Sequence, residues 1–295
     1  MVVISPSQSS RLFLVISPFN VHFECNYGKL DRKQPMKTLI LSFVLGLSAT
    51  AEPAWFDEIN IPQKGPLKQI SPTKLEYVIS FNGKGKAGTF SILFGEDAPR
   101  YPDHFLVRAH GGSLGWAKTL FPYQFHYLSF LDPKTLRPTK FVGTEREGSK
   151  VTALNYRFDP KGVSGTKKTT EDDETQTESS KFLYPYSLGL FSGLLQIRSL
   201  PLKDNEEIVM ALHPVTTSYL TKIKIVGREV HLGRKCIKLN IGAEKIEDDM
   251  SLQHEDDPKT ASIWLSDDDW RIPIEMRGEM PIGPVRVFLT KHENL

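Results

Sequence analysis

The chain has 295 residues, with 37 Lys and Arg against 35 Asp and Glu, and is long enough to bury a full hydrophobic core. Five of the basic and two of the acidic residues fall within the first 51 residues, so the rest of the chain carries a formal charge of −1. A charge this close to zero argues against nucleic acid and against an anionic membrane surface as partners.

The first recognisable element is a secretory signal peptide at 36–51. It starts with Met36 and Lys37, continues with an apolar run, and ends in Ala-Thr-Ala, the small-x-small pattern that signal peptidase cleaves. The sequence therefore predicts export to the periplasm or the extracellular space, with cleavage between Ala51 and Glu52. The apolar run is far shorter than the roughly 20 residues that a bilayer-spanning helix needs, so we expect no membrane span.

Residues 1–35 precede this signal and hold no export signal of their own, so we interpret them as an over-long gene start rather than part of the native protein. The stretch 52–72 is rich in Pro and lacks periodicity, and it predicts an N-terminal arm that packs Trp55 and Phe56 onto the body. We expect residues 73–295 to form a single β-rich domain.

Short segments that alternate apolar and polar residues recur from Leu75 onward, separated by turn signals such as Asn82-Gly83 and Asp132-Pro133. Such alternation is typical of antiparallel strands with one buried face. Because hairpins join strands that are neighbours along the chain, the sequence predicts a mainly β fold, a curved antiparallel up-and-down meander of about a dozen strands. This meander is expected to form a half-barrel or an open barrel.

One apolar segment, near 182–198, interrupts the strands. Leu188, Phe191 and Leu195 recur at helical spacing, and Ser187 is a candidate for the cap of this helix. Because the segment is apolar on nearly all sides, the helix must be buried, and we expect it across the concave face of the sheet. The space between the sheet and the helix is then either an apolar cavity or a solid core.

Motifs that carry chemistry are scarce. Residues 111–115 fit G-x-S-x-G, which would make Ser113 a hydrolase nucleophile, but the βαβ setting of a nucleophile elbow is missing and a flexible turn is favoured. The apolar stretch from Gly115 predicts a helical turn. Cys236 lies in an alternating run, which predicts a buried strand cysteine rather than a reactive thiol. We therefore expect no catalytic residues and no cofactor.

Acidic residues cluster in three places. The runs 170–180 and 244–258 lack the spacing of a calcium loop or a His-based zinc site, so we interpret them as solvated hairpin loops and expect no metal. The third cluster, Asp267, Asp268 and Asp269, occupies a tight turn between apolar strands. These side chains are expected to bond backbone N–H groups of the turn, which is a structural role.

Three motifs in this order resemble the exported bacterial family known as domain of unknown function 3108. A D-x-x-T-L-x-P turn occurs at 132–138, an lR-x-x-p-L run at 197–202, and a W-l-S-x-D-x-x-r-x-P turn at 264–273, followed by Gly283 in a final hairpin. The resemblance implies a bacterial envelope protein without established catalytic residues. It also implies a curved antiparallel sheet with an inserted helix, similar to the half-barrels of periplasmic lipoprotein carriers.

The leading hypothesis is a non-enzymatic envelope protein that binds or carries a lipid or another hydrophobic envelope component. The residues expected to line its apolar site are Trp116, Phe121, Phe125, Phe191, Leu194, Leu195 and Trp264. The alternatives are an envelope module with a solid core that binds a protein partner and, third, a serine hydrolase. A void lined by those aromatic residues would favour ligand binding, whereas dense packing with an exposed apolar patch would favour a partner surface.

Overall fold

The computed structural model describes residues 52–60, 65, 71–81, 84–95, 101–253, 260–280 and 283–295. The predicted signal peptide, the residues before it and the Asn82-Gly83 turn lie outside these ranges. Fourteen strands occupy the described residues: β1 Thr73–Phe81, β2 Lys84–Phe94, β3 Phe105–Ser113, β4 Tyr123–Leu131, β5 Pro138–Glu147, β6 Lys150–Asp159, β7 Gly162–Glu171, β8 Glu174–Phe182, β9 Glu207–Leu212, β10 Ser218–His231, β11 Arg234–Ile246, β12 Thr260–Ser266, β13 Pro273–Met280 and β14 Gly283–Asn294. Two α-helices accompany them: α1 Gly115–Leu120, where a helical turn was expected, and α2 Leu190–Ser199.

The strands form one antiparallel sheet in the order β8-β7-β6-β5-β4-β3-β2-β1-β14-β13-β12-β11-β10-β9. The first and last strands pair with each other, so both ends of the domain lie in the middle of the sheet. The strands β8 and β9 do not pair, and the sheet stays open between them. We call this gap the seam. The predicted curved antiparallel meander is therefore confirmed as an open half-barrel, with fourteen strands rather than about a dozen.

The hydrophobic core is formed by alternate residues of the strands, whose side chains point to the inner face of the sheet. On β4, Tyr123, Phe125 and Tyr127 are buried, while the residues between them are exposed. On β1 and β2, Tyr77 stacks on Phe90 with 4.8 Å between ring centroids. Aromatic pairs of this kind add to the stabilisation that burial itself gives.

The helix α2 crosses the inner side of the sheet. Nine of its ten residues are buried, as its all-round apolar character predicts. A Cβ at Gly193 would lie only 2.8 Å from Leu212 Cδ2 on β9. At the other end, the Arg198 guanidinium lies over the Phe94 ring of β2, 5.0 Å from its centroid. The helix thus fills the concave side, and within the described residues neither α-helix is long and apolar enough to cross a bilayer.

This helix begins later than its sequence indicates. Leu188, expected to be a helical position, instead forms an isolated bridge with Leu212 of β9. The cap is Gly189, whose N–H donates to Ser192 Oγ at 2.8 Å. Ser187 Oγ donates instead to a carbonyl of the preceding turn. The predicted Ser187 cap is therefore wrong, because the extended pairing of Leu188 delays the first helical turn.

The N-terminal arm covers one edge of the sheet. Trp55 is buried and donates its indole N–H to the Met250 carbonyl at 2.8 Å, and Phe56 packs edge-to-face on Tyr184. The Asn60 N–H then donates to a β9 carbonyl at 3.1 Å. Together with the bridge at Leu188, this arm protects the free edge of β9 from unwanted pairing.

Candidate functional site

The D-x-x-T-L-x-P motif builds a turn beside α2. Asp132 Oδ1 accepts hydrogen bonds from the N–H groups of Lys134 and Thr135 at 2.8 and 2.7 Å. Leu136 follows in a left-handed conformation, with φ of 58°, and is fully buried. This conformation leaves the Thr135 carbonyl to accept a hydrogen bond from Gln196 Nε2 of α2 at 2.6 Å.

The acidic turn after β12 is held by its own carboxylates. Asp268 Oδ1 accepts from the N–H groups of Trp270 and Arg271 at 2.9 and 3.1 Å. Asp267 accepts from the Arg271 guanidinium at 2.8 Å, and Asp269 completes the turn. The carboxylates of Asp267 and Asp268 therefore accept hydrogen bonds from groups of the same turn, as side chains do in Asx turns.

Arg198, from the lR-x-x-p-L motif, fastens α2 to that turn. Its Nη2 donates to the Trp270 carbonyl at 3.0 Å and its Nε to the Arg271 carbonyl at 3.1 Å. Burial lowers the pKa of Arg198 to about 10, so the guanidinium stays protonated at neutral pH. We call Thr135, Gln196, Arg198, Trp270 and Arg271 the helix latch. All three motifs meet there, and their polar groups hold the helix inside the sheet.

A pocket of about 340 Å³ lies at the seam. It opens between the second half of β8 and the ends of β10 and β11, where the sheet does not close. Its apolar wall consists of Phe182, Leu183, Ile246 and Met250. The volume is at the lower end of the roughly 300–1,000 Å³ that small-molecule sites occupy. We call this space the seam pocket.

The rim of the seam pocket is charged but balanced. Lys167 donates to Glu178 at 3.3 Å, and Lys245 pairs with Glu247 at 3.0 Å. Lys181 and Asp248 add one further charge of each sign. Because the rim has no net charge, it does not select ligands by long-range attraction.

Hydroxyl groups and a buried imidazole form the rest of the pocket wall. The residues that carry hydroxyls are Tyr156, Ser180, Thr216, Thr217 and Ser218. His213 is 4% exposed, and its Nδ1 lies 2.9 Å from Ser218 Oγ. Burial lowers the pKa of His213 to about 4, so the ring is neutral at pH 7. Its Nε2 has no hydrogen-bond partner among the described residues, which is unusual for a buried polar atom.

Six of the residues predicted to line an apolar site lie in two other places. Phe125, Phe191 and Leu195 are buried in the core, with Leu194 packed against it. Trp116 is 44% exposed on α1, and Phe121 follows that helix at its C-terminus. None of these six is among the described residues around the seam pocket.

Trp264, the seventh predicted residue, faces away from α2. It alternates along β12 with the core residue Ile263, which places the two side chains on opposite faces of the sheet. The indole stacks on His231 with 4.2 Å between centroids, and the Arg277 guanidinium lies over it at 4.8 Å. Trp264 is therefore buried beneath polar side chains of the outer face.

Beside it lies a buried carboxylate that sequence reasoning missed. Glu275 is inaccessible to solvent and accepts hydrogen bonds from Arg277 and Arg286 at 2.7 and 2.6 Å, as well as pairing with His231. Burial alone would raise the pKa of Glu275, but these hydrogen bonds outweigh it and lower the pKa to about 2. The sequence signal for this buried carboxylate was that Glu275 lies between the apolar residues Ile274 and Met276 on β13.

Ser113 and Cys236 are both buried residues of strands in the sheet. Ser113 Oγ is buried and accepts from the Tyr123 N–H at 3.0 Å, across the β3–β4 pair. Cys236 is a free, fully buried thiol on β11, as predicted, and burial raises its pKa. Within the described ranges no three His, Cys, Asp or Glu side chains come together as a metal site.

The acidic runs 170–180 and 244–258 contain residues that line the seam pocket, although their sequences predict solvated loops. Residues 174–180 form most of β8, so reading 170–180 as a loop is wrong, although the side chains are solvent-exposed. Residues 244–246 end β11, and Glu247, Asp248 and Met250 border the seam pocket. Residues 254–258 lie outside the described part of the chain. The signal available in the sequence was that Glu178, Ser180 and Phe182 occupy alternate positions.

These features define an open antiparallel half-barrel with an internal helix and a small amphipathic pocket at its seam. The chain belongs to the family described as Protein of unknown function (DUF3108), which it matches over residues 76–290. No curated protein matches it in sequence.

Solved structures that match this chain share little sequence with it. The β-barrel-like protein of domain of unknown function DUF1849 from Brucella abortus has a TM-score of 0.51 and 10% identity, over 77% of this chain and 99% of that one. An exported protein with a YmcC-like fold from Bacteroides fragilis has a TM-score of 0.31 and 7% identity, over 79% and 99%. Mycobacterium tuberculosis lipoprotein LppX has a TM-score of 0.22 and 8% identity, over 77% and 88%. The first supports the fold alone, and the other two are too distant to support an argument.

Proposed function

We propose that this protein is a non-enzymatic binding protein of the cell envelope, exported through the signal at 36–51, which holds a lipid or another amphipathic envelope component in the seam pocket. The observation that carries the proposal is a pocket of about 340 Å³ at the seam, where β8 and β9 do not pair. The three family motifs support it indirectly, because Thr135, Arg198, Trp270 and Arg271 contribute hydrogen-bonding groups to the helix latch.

The pocket's size limits what it holds. The concave side is filled by α2, so the ligand lies at the seam and not in the centre of the half-barrel. Burying about six methylene groups against the apolar wall would contribute about 5 kcal/mol. A micromolar Kd corresponds to about 8 kcal/mol, so hydroxyl and charged groups of the rim supply the remainder. This combination favours a ligand with one hydrocarbon chain and a polar head.

Native mass spectrometry of the protein purified from its own host tests this function. We expect a bound species with the mass of an amphipathic molecule, released by organic solvent. Thr216→Trp places a large ring in the pocket and is expected to abolish the bound species. Thr144→Trp makes the same change at an exposed site on β5 and should leave it in place. A wild-type protein that carries no bound molecule and takes up no added fatty acid contradicts the proposal.

A further inference from the structure

Two arginines lie side by side on the outer face of the sheet. Arg277 of β13 is directly opposite Arg286 of β14, and their side chains are 43% and 42% exposed. Arg277 lies two residues after the buried Glu275, so both side chains are on the same face of β13. Like charges in directly opposed positions of neighbouring strands are destabilising, so this arginine pair costs stability unless another group compensates for it.

Glu275 compensates for only part of that charge. Its Oε1 accepts hydrogen bonds from Nε of Arg277 at 2.7 Å and from Nε of Arg286 at 2.6 Å, and its Oε2 accepts from Nη2 of Arg277 at 3.1 Å. Glu229 accepts from the Trp264 indole N–H at 2.6 Å and is bonded to neither arginine. One carboxylate is therefore shared by two guanidinium groups, and the arginine pair keeps a net positive charge.

Both guanidinium groups are fixed in place and still have donors to offer. An arginine carries five N–H donors. Within the described part of the chain, Arg286 uses only its Nε, and Arg277 uses Nε and Nη2. The Arg277 guanidinium also lies over the Trp264 ring, 4.8 Å from its centroid. Because Glu275 and this ring already order the two side chains, less entropy is lost when their remaining donors bind a ligand.

The cross-strand neighbours of this pair carry hydroxyl and cationic groups. Ser262 of β12 is opposite Arg277, and Ser80 of β1 is opposite Arg286. Ser80 is in turn opposite Lys86 of β2, which is exposed. The two arginines are thus flanked by further groups that can donate hydrogen bonds to an anion.

We propose that Arg277 and Arg286 form a binding site for a phosphate group on the outer face of the sheet. Arginine forks bind phosphate oxygens through pairs of parallel hydrogen bonds. A phosphate group presents three acceptor oxygens and up to two negative charges, so it can accept from both forks at once, whereas a carboxylate has two oxygens and one charge. Neither arginine lines the seam pocket, so this inference is independent of any ligand held there.

An NMR titration of the ¹⁵N-labelled mature chain with inorganic phosphate at low salt tests the proposal. We expect saturable shifts of the Nε–H signals of Arg277 and Arg286. Sodium acetate at the same ionic strength is the carboxylate control, and we expect its Kd to be at least about tenfold higher. Because the shifted signals themselves locate the site, the wild-type titration tests the proposal without relying on any variant.

Arg286→Gln removes one fork and leaves Arg277 bonded to both oxygens of Glu275, so we expect circular dichroism to show an unchanged fold. The Kd for phosphate should rise by at least about tenfold. Arg157→Gln makes the same change at an exposed position on β6 and should leave that Kd unchanged. No saturable shift with inorganic phosphate, or equal Kd values for wild type and Arg286→Gln, overturns the proposal.

Vesicle flotation distinguishes a lipid headgroup from a soluble phosphate compound. The vesicles contain phosphatidylcholine with or without phosphatidic acid. Flotation that requires phosphatidic acid and is lost in Arg286→Gln assigns the site to a lipid headgroup. Binding of inorganic phosphate without flotation assigns it to a soluble phosphate compound.

Discussion

Arg198 is a cation buried in the core, and its guanidinium bonds carbonyls rather than a carboxylate. It joins α2 to the turn after β12, while Gln196 joins the same helix to the turn after β4. The two long polar side chains of this buried helix therefore fix its position on both sides. Leaving buried carbonyls without donors costs about 1–3 kcal/mol for each group.

Arg198→Met keeps much of the side-chain volume but removes the donors. We expect the free energy of unfolding to fall by about 2–4 kcal/mol, because the carbonyls of Trp270 and Arg271 lose their hydrogen bonds. Urea unfolding followed by tryptophan fluorescence measures the change. Arg157→Met, at an exposed position on β6, serves as the control and should change stability by less than about 0.5 kcal/mol. Equal stability of both variants would rule out a latch at Arg198.

Glu275 makes the stability of the fold depend on pH. Its pKa of about 2 in the folded protein is lower than that of an ordinary glutamate, so its ionised form stabilises the fold at neutral pH. This contribution is present above about pH 5 and is lost as the pH falls toward 2. Glu275→Gln should reduce the free energy of unfolding by about 2 kcal/mol at pH 7 and have little effect near pH 2.

Denaturant unfolding of Glu275→Gln and wild type at a series of pH values provides this test. Glu174→Gln, on the exposed strand β8, is the control and should follow the wild-type curve. A constant difference between Glu275→Gln and wild type from pH 7 to pH 2 would contradict the role assigned to the carboxylate.

For the helix α2, the local sequence pattern predicts burial correctly but not the residue at which the helix begins. Its all-round apolar sequence requires burial, and this prediction is confirmed. Its start at Leu190 depends on Leu188 pairing with β9, a strand that comes later in the chain. Ser187 has the chemistry of a cap, but the helix does not begin beside it. Sequence reasoning places such elements well and their ends poorly, because ends depend on tertiary contacts.

Gly193 tests how closely this helix approaches β9. In Gly193→Val the new Cβ would lie 2.8 Å from Leu212 Cδ2, so the Leu212 side chain must leave its packed position between helix and strand. We expect a loss of about 1–3 kcal/mol in the free energy of unfolding, measured by urea titration. Gly242→Val is the matched control, because a Cβ there meets no atom within 4 Å and valine suits a strand. Equal stability of the two variants would mean that α2 does not rest on β9 as described.

At the scale of the whole molecule, the position of the seam follows from a contact between the two ends of the domain. The alternating segments predict the strands and the meander, but the pairing of β1 with β14 joins residues more than 200 positions apart. That contact puts the opening between β8 and β9 rather than at the termini. The seam pocket was missed for the same reason: Glu178 and Lys245 lie in runs interpreted as solvated loops, and only the fold brings them together with Lys167.

We propose that the seam pocket, and not the centre of the half-barrel, holds an amphipathic ligand. Equilibrium dialysis of the mature chain against a fluorescent fatty acid tests it most directly, with Thr216→Trp and Thr144→Trp measured in parallel. We expect saturable binding to wild type and Thr144→Trp, with a Kd raised by at least about tenfold in Thr216→Trp. Equal binding to all three proteins, or binding to none of them, would contradict it.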